Sequence, residues 1–92
     1  MEGRRSFMKK AIYAYTPLCG TCQVAGKILD VAEEIVRDVE IDRVDLNYAK
    51  ELSERYQIES VPCLILLHKE EEVDKIYAFQ SVPYIVERLR DL

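Results

Sequence analysis

Two of the three cysteines in this 92-residue chain stand three apart, in Cys19-Gly20-Thr21-Cys22. Residues at that spacing are neighbours on a helix, so the two thiols can close a tight disulfide or share one metal ion. The motif begins where a β-prone run at residues 11–15 gives way, through Pro17, to helical periodicity. A cysteine at such a junction meets unpaired helix amides and the positive end of the helix dipole. Both favour a thiolate, the attacking species in thiol–disulfide exchange. Cys22 lies one turn further into the helix. The placement makes Cys19 the exposed nucleophile and Cys22 the covered, resolving thiol, with Gly20 and Thr21 between them.

The same residues admit a second chemistry. A Cys-x-x-Cys pair is half a zinc site, and Cys63 with His68 completes a nominal set of four ligands. Those two, however, fall in one extended apolar run. Five residues apart there, they are separated by roughly 16 Å and point to opposite faces. One tetrahedral ion does not reach both, so redox chemistry is favoured over metal binding and over two inert cysteines. No metal and no other cofactor is expected. Cys63 reads first as a buried strand cysteine acting as a small hydrophobe. A regulatory or third redox thiol is the alternative. His68 ends the run as a surface residue and takes no catalytic role.

The rest of the composition narrows the field. Hydrophobic residues make up 49% of the chain and charged residues 33%, with three Gly and three Pro, so this is neither a disordered nor a low-complexity segment. At this length the chain forms one small domain, burying about 60% of its unfolded surface or somewhat more. A net charge of −4 argues against nucleic-acid binding, and the tyrosines show no basic–aromatic pattern. Three cysteines are too few, and odd in number, for a disulfide-stapled scaffold. The longest apolar run, residues 61–67, is seven residues, against about 20 for a membrane helix. The first residues hold no apolar stretch of signal-peptide length. Together these predict a cytoplasmic protein with no membrane association.

The elements that must position the cysteines follow from periodicity. Residues 9–16 read as a strand. Val24, Ala25, Ile28, Leu29, Ala32, Ile35 and Val36 mark the buried stripe of a helix. Residues 40–46 form a second strand. Asn47 serves as a cap for a short helix with Ala49, Leu52 and Tyr56 on one face, ending near Gln57. Residues 63–68 are a strand buried on both faces. Residues 69–72 form a polar, solvated turn and 73–79 a further strand, the two strands making a hairpin. Ser81 and Pro83 open a last helix with Ile85, Val86, Leu89 and Leu92 inward. The order predicts an α/β fold: a four-stranded mixed sheet, one parallel pair plus an antiparallel hairpin, with three helices on its two faces. Residues 9–92 are the domain. Residues 1–8 read as an N-terminal extension without assigned function, since Met8-Lys9-Lys10 resembles a second start.

Strand, Cys-x-x-Cys and helix, then Val44-Asp45-Leu46-Asn47, then Tyr56-x-Ile58-x-x-Val61-Pro62, resemble the thioredoxin family over residues 9–92. The chain looks like a short member lacking the strand and helix that open a full-length thioredoxin. The resemblance implies a cis Val61–Pro62 bond facing the cysteine pair, with the Val61 backbone exposed to an extended substrate. It implies a protein-disulfide reductase, acting on disulfide-containing client proteins as a monomer. Its electrons would come from an NADPH-dependent thioredoxin reductase.

Four positions depart from the family pattern. Leu18 replaces the tryptophan before the motif and Thr21 the proline inside it. Tyr13 stands where the family has a buried aspartate, and Arg43 where it has a lysine, here read as a solvated strand residue. Glutaredoxins share the fold, but their Gly-Gly pair is replaced by Ala78-Phe79-Gln80-Ser81, which favours protein disulfides over glutathione mixed disulfides. A non-catalytic thioredoxin-like adaptor, or a metal–thiolate protein, remains the alternative.

Overall fold

The computed structural model describes residues 8–92. Its elements are β1 (Lys9–Tyr15), α1 (Gly20–Ile35), β2 (Glu40–Asp45), a 3-10 turn (Leu46–Tyr48), α2 (Lys50–Tyr56), β3 (Cys63–His68), β4 (Glu71–Ile76) and α3 (Val82–Arg90). The sheet order is β2-β1-β3-β4. β1 and β2 run parallel, joined by α1 as the crossover, while β3 is antiparallel to both β1 and β4. The expected mixed four-stranded sheet with three helices is therefore present. Of the expected extension at residues 1–8, residues 1–7 lie outside the described residues.

Alternation along the strands divides the core into two layers. Ala11 and Tyr13 of β1, with Leu64 and Leu66 of β3, face α1 and α3. Ile12 and Ala14, with Cys63, Ile65 and Leu67, face the other way, where Leu52 and Tyr56 of α2 cover them. β3 is buried on both faces because it lies inside the sheet between two helical layers, which is why its sequence is continuously apolar. α1 buries Cys22, Ala25, Leu29 and Ala32, and α3 buries Ile85, Val86 and Leu89. Ser81 caps α3 by accepting from the Tyr84 amide, with Pro83 in its first turn.

Several local expectations are corrected. Val24 and Ile35 belong to no buried stripe: they are 61% and 47% exposed. Cys22 continues the true stripe one turn earlier, since Cys22, Ala25, Leu29 and Ala32 follow one another at three- and four-residue steps. Asn47 caps no helix. It sits inside the 3-10 turn, where the Asp45 side chain accepts from its amide, and α2 starts after Ala49 without a side-chain cap.

β4 begins at Glu71 and ends at Ile76, earlier at both ends than residues 73–79. The connecting turn is only Lys69-Glu70, both at positive φ, matching a two-residue type I′ hairpin turn. Lysine and glutamate are poor markers for that conformation, which favours Asn-Gly. A register shift then passes over Val73, since Leu66 pairs with Asp74 and Leu67 with Glu72. The bulge leaves Val73 exposed.

Candidate active site

Cys19 and Cys22 are joined in a disulfide with their Cα atoms 5.1 Å apart. Cys19 is the N-cap residue of α1, in extended conformation. Its Sγ accepts from the Cys22 amide at 3.1 Å and lies 3.3 Å from the Thr21 hydroxyl. The sulfur therefore fills the place of a capping oxygen and sits against the positive end of a 16-residue helix. Cys19 is half-buried and Cys22 only 3% exposed.

The loop before β3 supplies the opposing wall. The Val61 carbonyl lies 4.0 Å from Cys19 Sγ, and the Val61–Pro62 bond is cis, as the resemblance implies. Pro62 is buried and Val61 half-buried. Of the six positions singled out from sequence, Cys19, Thr21, Cys22 and Val61 make these direct contacts. Pro62 lines the adjoining groove, and Gly20 is exposed at the first turn. Leu18 stands 99% exposed beside the pair. The groove, of about 380 Å³, runs from Thr21 and Pro62 past Val24 and Ile28 to Tyr77 and Phe79. The motif does not reveal it. The signal lay in Val24, an apolar residue one turn beyond Thr21, which sequence periodicity assigned inward.

Behind the pair, Tyr13 of β1 contacts the motif directly. Its hydroxyl donates to the Cys22 carbonyl. The ring is held between Tyr15, stacked at 5.4 Å, and the edge of Phe79 at 5.8 Å. Burial raises the Tyr13 pKa above its ordinary value, partly offset by the Arg43 charge. The phenol stays protonated at neutral pH and acts as a donor, not a base. Replacing it by Tyr13→Phe keeps the ring packing and removes one hydrogen bond, a loss of about 1 kcal/mol in urea denaturation. Disulfide-reductase turnover should keep the shape of its pH profile. Loss of one limb would mean that the phenol carries a proton.

Arg43 is an exposed strand residue, as expected, but its side chain is engaged. Its guanidinium bridges Asp30 and Glu33 of α1 at 2.9 and 2.8 Å, tying β2 to the helix that carries the cysteines. With Tyr13, Tyr15, Gln23 and Gly26 it lines an open cavity of about 230 Å³ reaching Cys22.

Cys63 is fully buried on the α2 side of the sheet. Burial pushes its thiol up to about 11. Alkylation of the folded, reduced protein at neutral pH should modify Cys19 and leave Cys63 unmodified, as read by mass. Because the folded pKa is raised, this thiol also withdraws stability as pH rises from about 9 toward about 11. His68 lies at the same strand alternation as Leu64 and Leu66, on the face opposite Cys63. Among the described residues, no three His, Cys, Asp or Glu side chains gather to hold a metal.

A four-stranded sheet with a dithiol capping the helix after its first strand, opposite a cis-proline loop, defines a class of redox folds. The thioredoxin family model matches residues 8–91, and this chain belongs to the thioredoxin family. It is 44% identical over 79 residues to Thioredoxin-like protein YusE of Bacillus subtilis, covering 86% of this chain and 74% of that protein. It is 30% identical over 71 residues to the thioredoxin of Mycoplasmoides gallisepticum, covering 77% and 71% of the two chains.

Among solved structures, thioredoxin-2 of a malaria parasite superposes with a TM-score of 0.87 at 17% identity, over 97% of this chain and 87% of that one. A mutant thioredoxin from Halobacterium salinarum gives 0.85 at 20% identity, over 92% and 74%. At these identities the superpositions speak for the fold. Family membership and a Cys19–Cys22 pair at bonding distance point to a thiol–disulfide oxidoreductase.

Proposed function

We propose that this chain reduces disulfides in partner proteins by a Cys19/Cys22 dithiol cycle. The observation that carries the reading is a Cys19–Cys22 disulfide placed at a helix N-terminus, with Cys19 half-buried and Cys22 covered. In the reduced protein, the helix amides stabilise Cys19 as a thiolate. That thiolate attacks one sulfur of a client disulfide and expels the other as a thiolate. Cys22 then loses its proton to water in the cavity behind it and attacks Cys19 Sγ. The client leaves with both sulfurs reduced, and its two electrons have come from the cysteine pair, now a disulfide.

Client binding uses the opposing wall. An extended segment pairs with the backbone at Val61 in the manner of an added strand. Its apolar side chains rest in the groove of Val24, Tyr77 and Phe79, with Leu18 offering a further apolar contact. Residues 9–92 are the working unit and no resident cofactor takes part. The cycle returns to the dithiol through an NADPH-dependent thioredoxin reductase, in the cytoplasm, where free thiols persist. The test is NADPH consumption with thioredoxin reductase and a protein disulfide, compared with a glutathione-coupled assay. Turnover in the first and none in the second is expected. No turnover of any protein disulfide would leave the adaptor reading in its place.

A further inference from the structure

α1 carries two apolar stripes; the fold buries one of them and takes only Ile28 of the other against its core. Cys22, Ala25, Leu29 and Ala32 enter the core. Val24, Ile28, Val31 and Ile35, spaced four, three and four apart, form a second line along the same helix. Val24, Val31 and Ile35 are 61%, 48% and 47% exposed, and Ile28 is half-buried. That spacing is the a/d seam of helices that pack side by side. Lys27 and Glu34 flank the seam at equivalent heptad positions, both exposed, and neither enters an ion pair among the described residues. Their acidic neighbours Asp30 and Glu33 differ, being engaged by Arg43.

We propose that this stripe is a self-association surface, on which a second copy of the chain packs its own α1 antiparallel about a two-fold axis. The pairing is self-complementary. A two-fold near the middle of the stripe sets Val24 against Ile35 of the other copy and Ile28 against Val31. It brings Lys27 of each copy toward Glu34 of the other, so both flanking charges meet their opposites. An exposed apolar line with opposite charges at a seven-residue interval fits itself better than it fits a generic acidic or basic partner.

The contact is one helix against one helix, smaller than the roughly 1,200 Å² of a stable specific interface, so association is weak and the dilute protein is monomeric. Val24 also lines the groove beside Cys19, so pairing covers one wall of that groove. A crowded pool of this protein would therefore hold part of its groove closed. The association itself does not depend on the redox reading.

Sedimentation equilibrium of the oxidised, full-length protein, from about 10 µM to about 1 mM, reads this directly, a range in which weak helix-pair contacts become populated. A monomer–dimer equilibrium is expected at the upper end. Val31→Glu should abolish it while leaving disulfide turnover at dilute concentration unchanged, because Val31 touches neither cysteine nor groove. Lys27→Glu alone and Glu34→Lys alone should each weaken the dimer by about tenfold or less, on the scale of an exposed ion pair turned repulsive. The double swap should restore it. A protein that stays monomeric throughout overturns the proposal. So does a dimer indifferent to Val31→Glu, or single charge variants that the double swap does not rescue.

Discussion

Cys22→Ser should turn the protein from a catalyst into a trap, holding clients as mixed disulfides on Cys19, and Cys19→Ser should remove reductase turnover altogether. The asymmetry follows from position. Cys19 is the sulfur that both helix amides and solvent reach, whereas Cys22 is 3% exposed and meets a client only through Cys19. Without Cys19 there is no accessible thiolate, and the first exchange with the client does not take place. Without Cys22 the first exchange still proceeds, but nothing inside the protein attacks Cys19 Sγ to release the client. Non-reducing gels of Cys22→Ser after exposure to a protein disulfide should show a ladder of adducts that dithiothreitol collapses. The same gel with Cys19→Ser should be blank. Full multi-turnover activity in Cys22→Ser would mean that Cys19 works alone.

Leu29→Ala should be the most damaging single truncation in the helix that carries the cysteines. Leu29 is fully buried, in the layer where α1 meets the sheet and α3. Truncating such a leucine costs about 3–5 kcal/mol, through lost transfer energy and the cavity left behind. Small domains hold about 5–15 kcal/mol in total. A melting temperature lower by roughly 15 °C or more is expected, since each kcal/mol moves a domain of this size by about 4–8 °C. Val31→Ala, two residues away but half-exposed, should stay within about 0.5 kcal/mol. Equal costs for the two would mean that the division of α1 into a core face and an outer face is wrong.

Much of this architecture is legible in the residues. The cysteine pair marks its own junction, because a β-prone run stopped by Pro17 and followed by a three-to-four period can only be a strand feeding a helix. β3 is legible for a similar reason: the continuous apolar run from Cys63 to Leu67 is what a strand covered on both faces needs. Failures fall where local chemistry is ambiguous. Val24 and Ile35 look like core residues because apolar side chains carry no label for the face they occupy, and α1 has two apolar stripes. The Lys69-Glu70 turn is invisible because neither residue advertises the left-handed backbone it adopts. Asn47 is a good cap residue in the wrong place, since Asp45 two residues earlier binds its amide and spends the signal on a 3-10 turn. Arg43 is exposed as read, but its ion pairs form only where the fold brings Asp30 and Glu33 across from α1. The Tyr13 hydroxyl bond to Cys22 depends on two elements meeting, which no local pattern contains.

The central claim is that Cys19 and Cys22 form one reversible redox couple that donates electrons to protein disulfides. Its most direct test is a redox titration of the purified protein, with thiol alkylation read by mass at each cysteine. Cys19 and Cys22 should oxidise together in a single two-electron transition while Cys63 stays a thiol. The midpoint should lie near the reducing potential typical of thioredoxin, about −270 mV. A midpoint near −120 to −180 mV, roughly the range of oxidant and isomerase proteins, would contradict the direction of flow. Absence of a Cys19–Cys22 disulfide at every poise would contradict the couple itself.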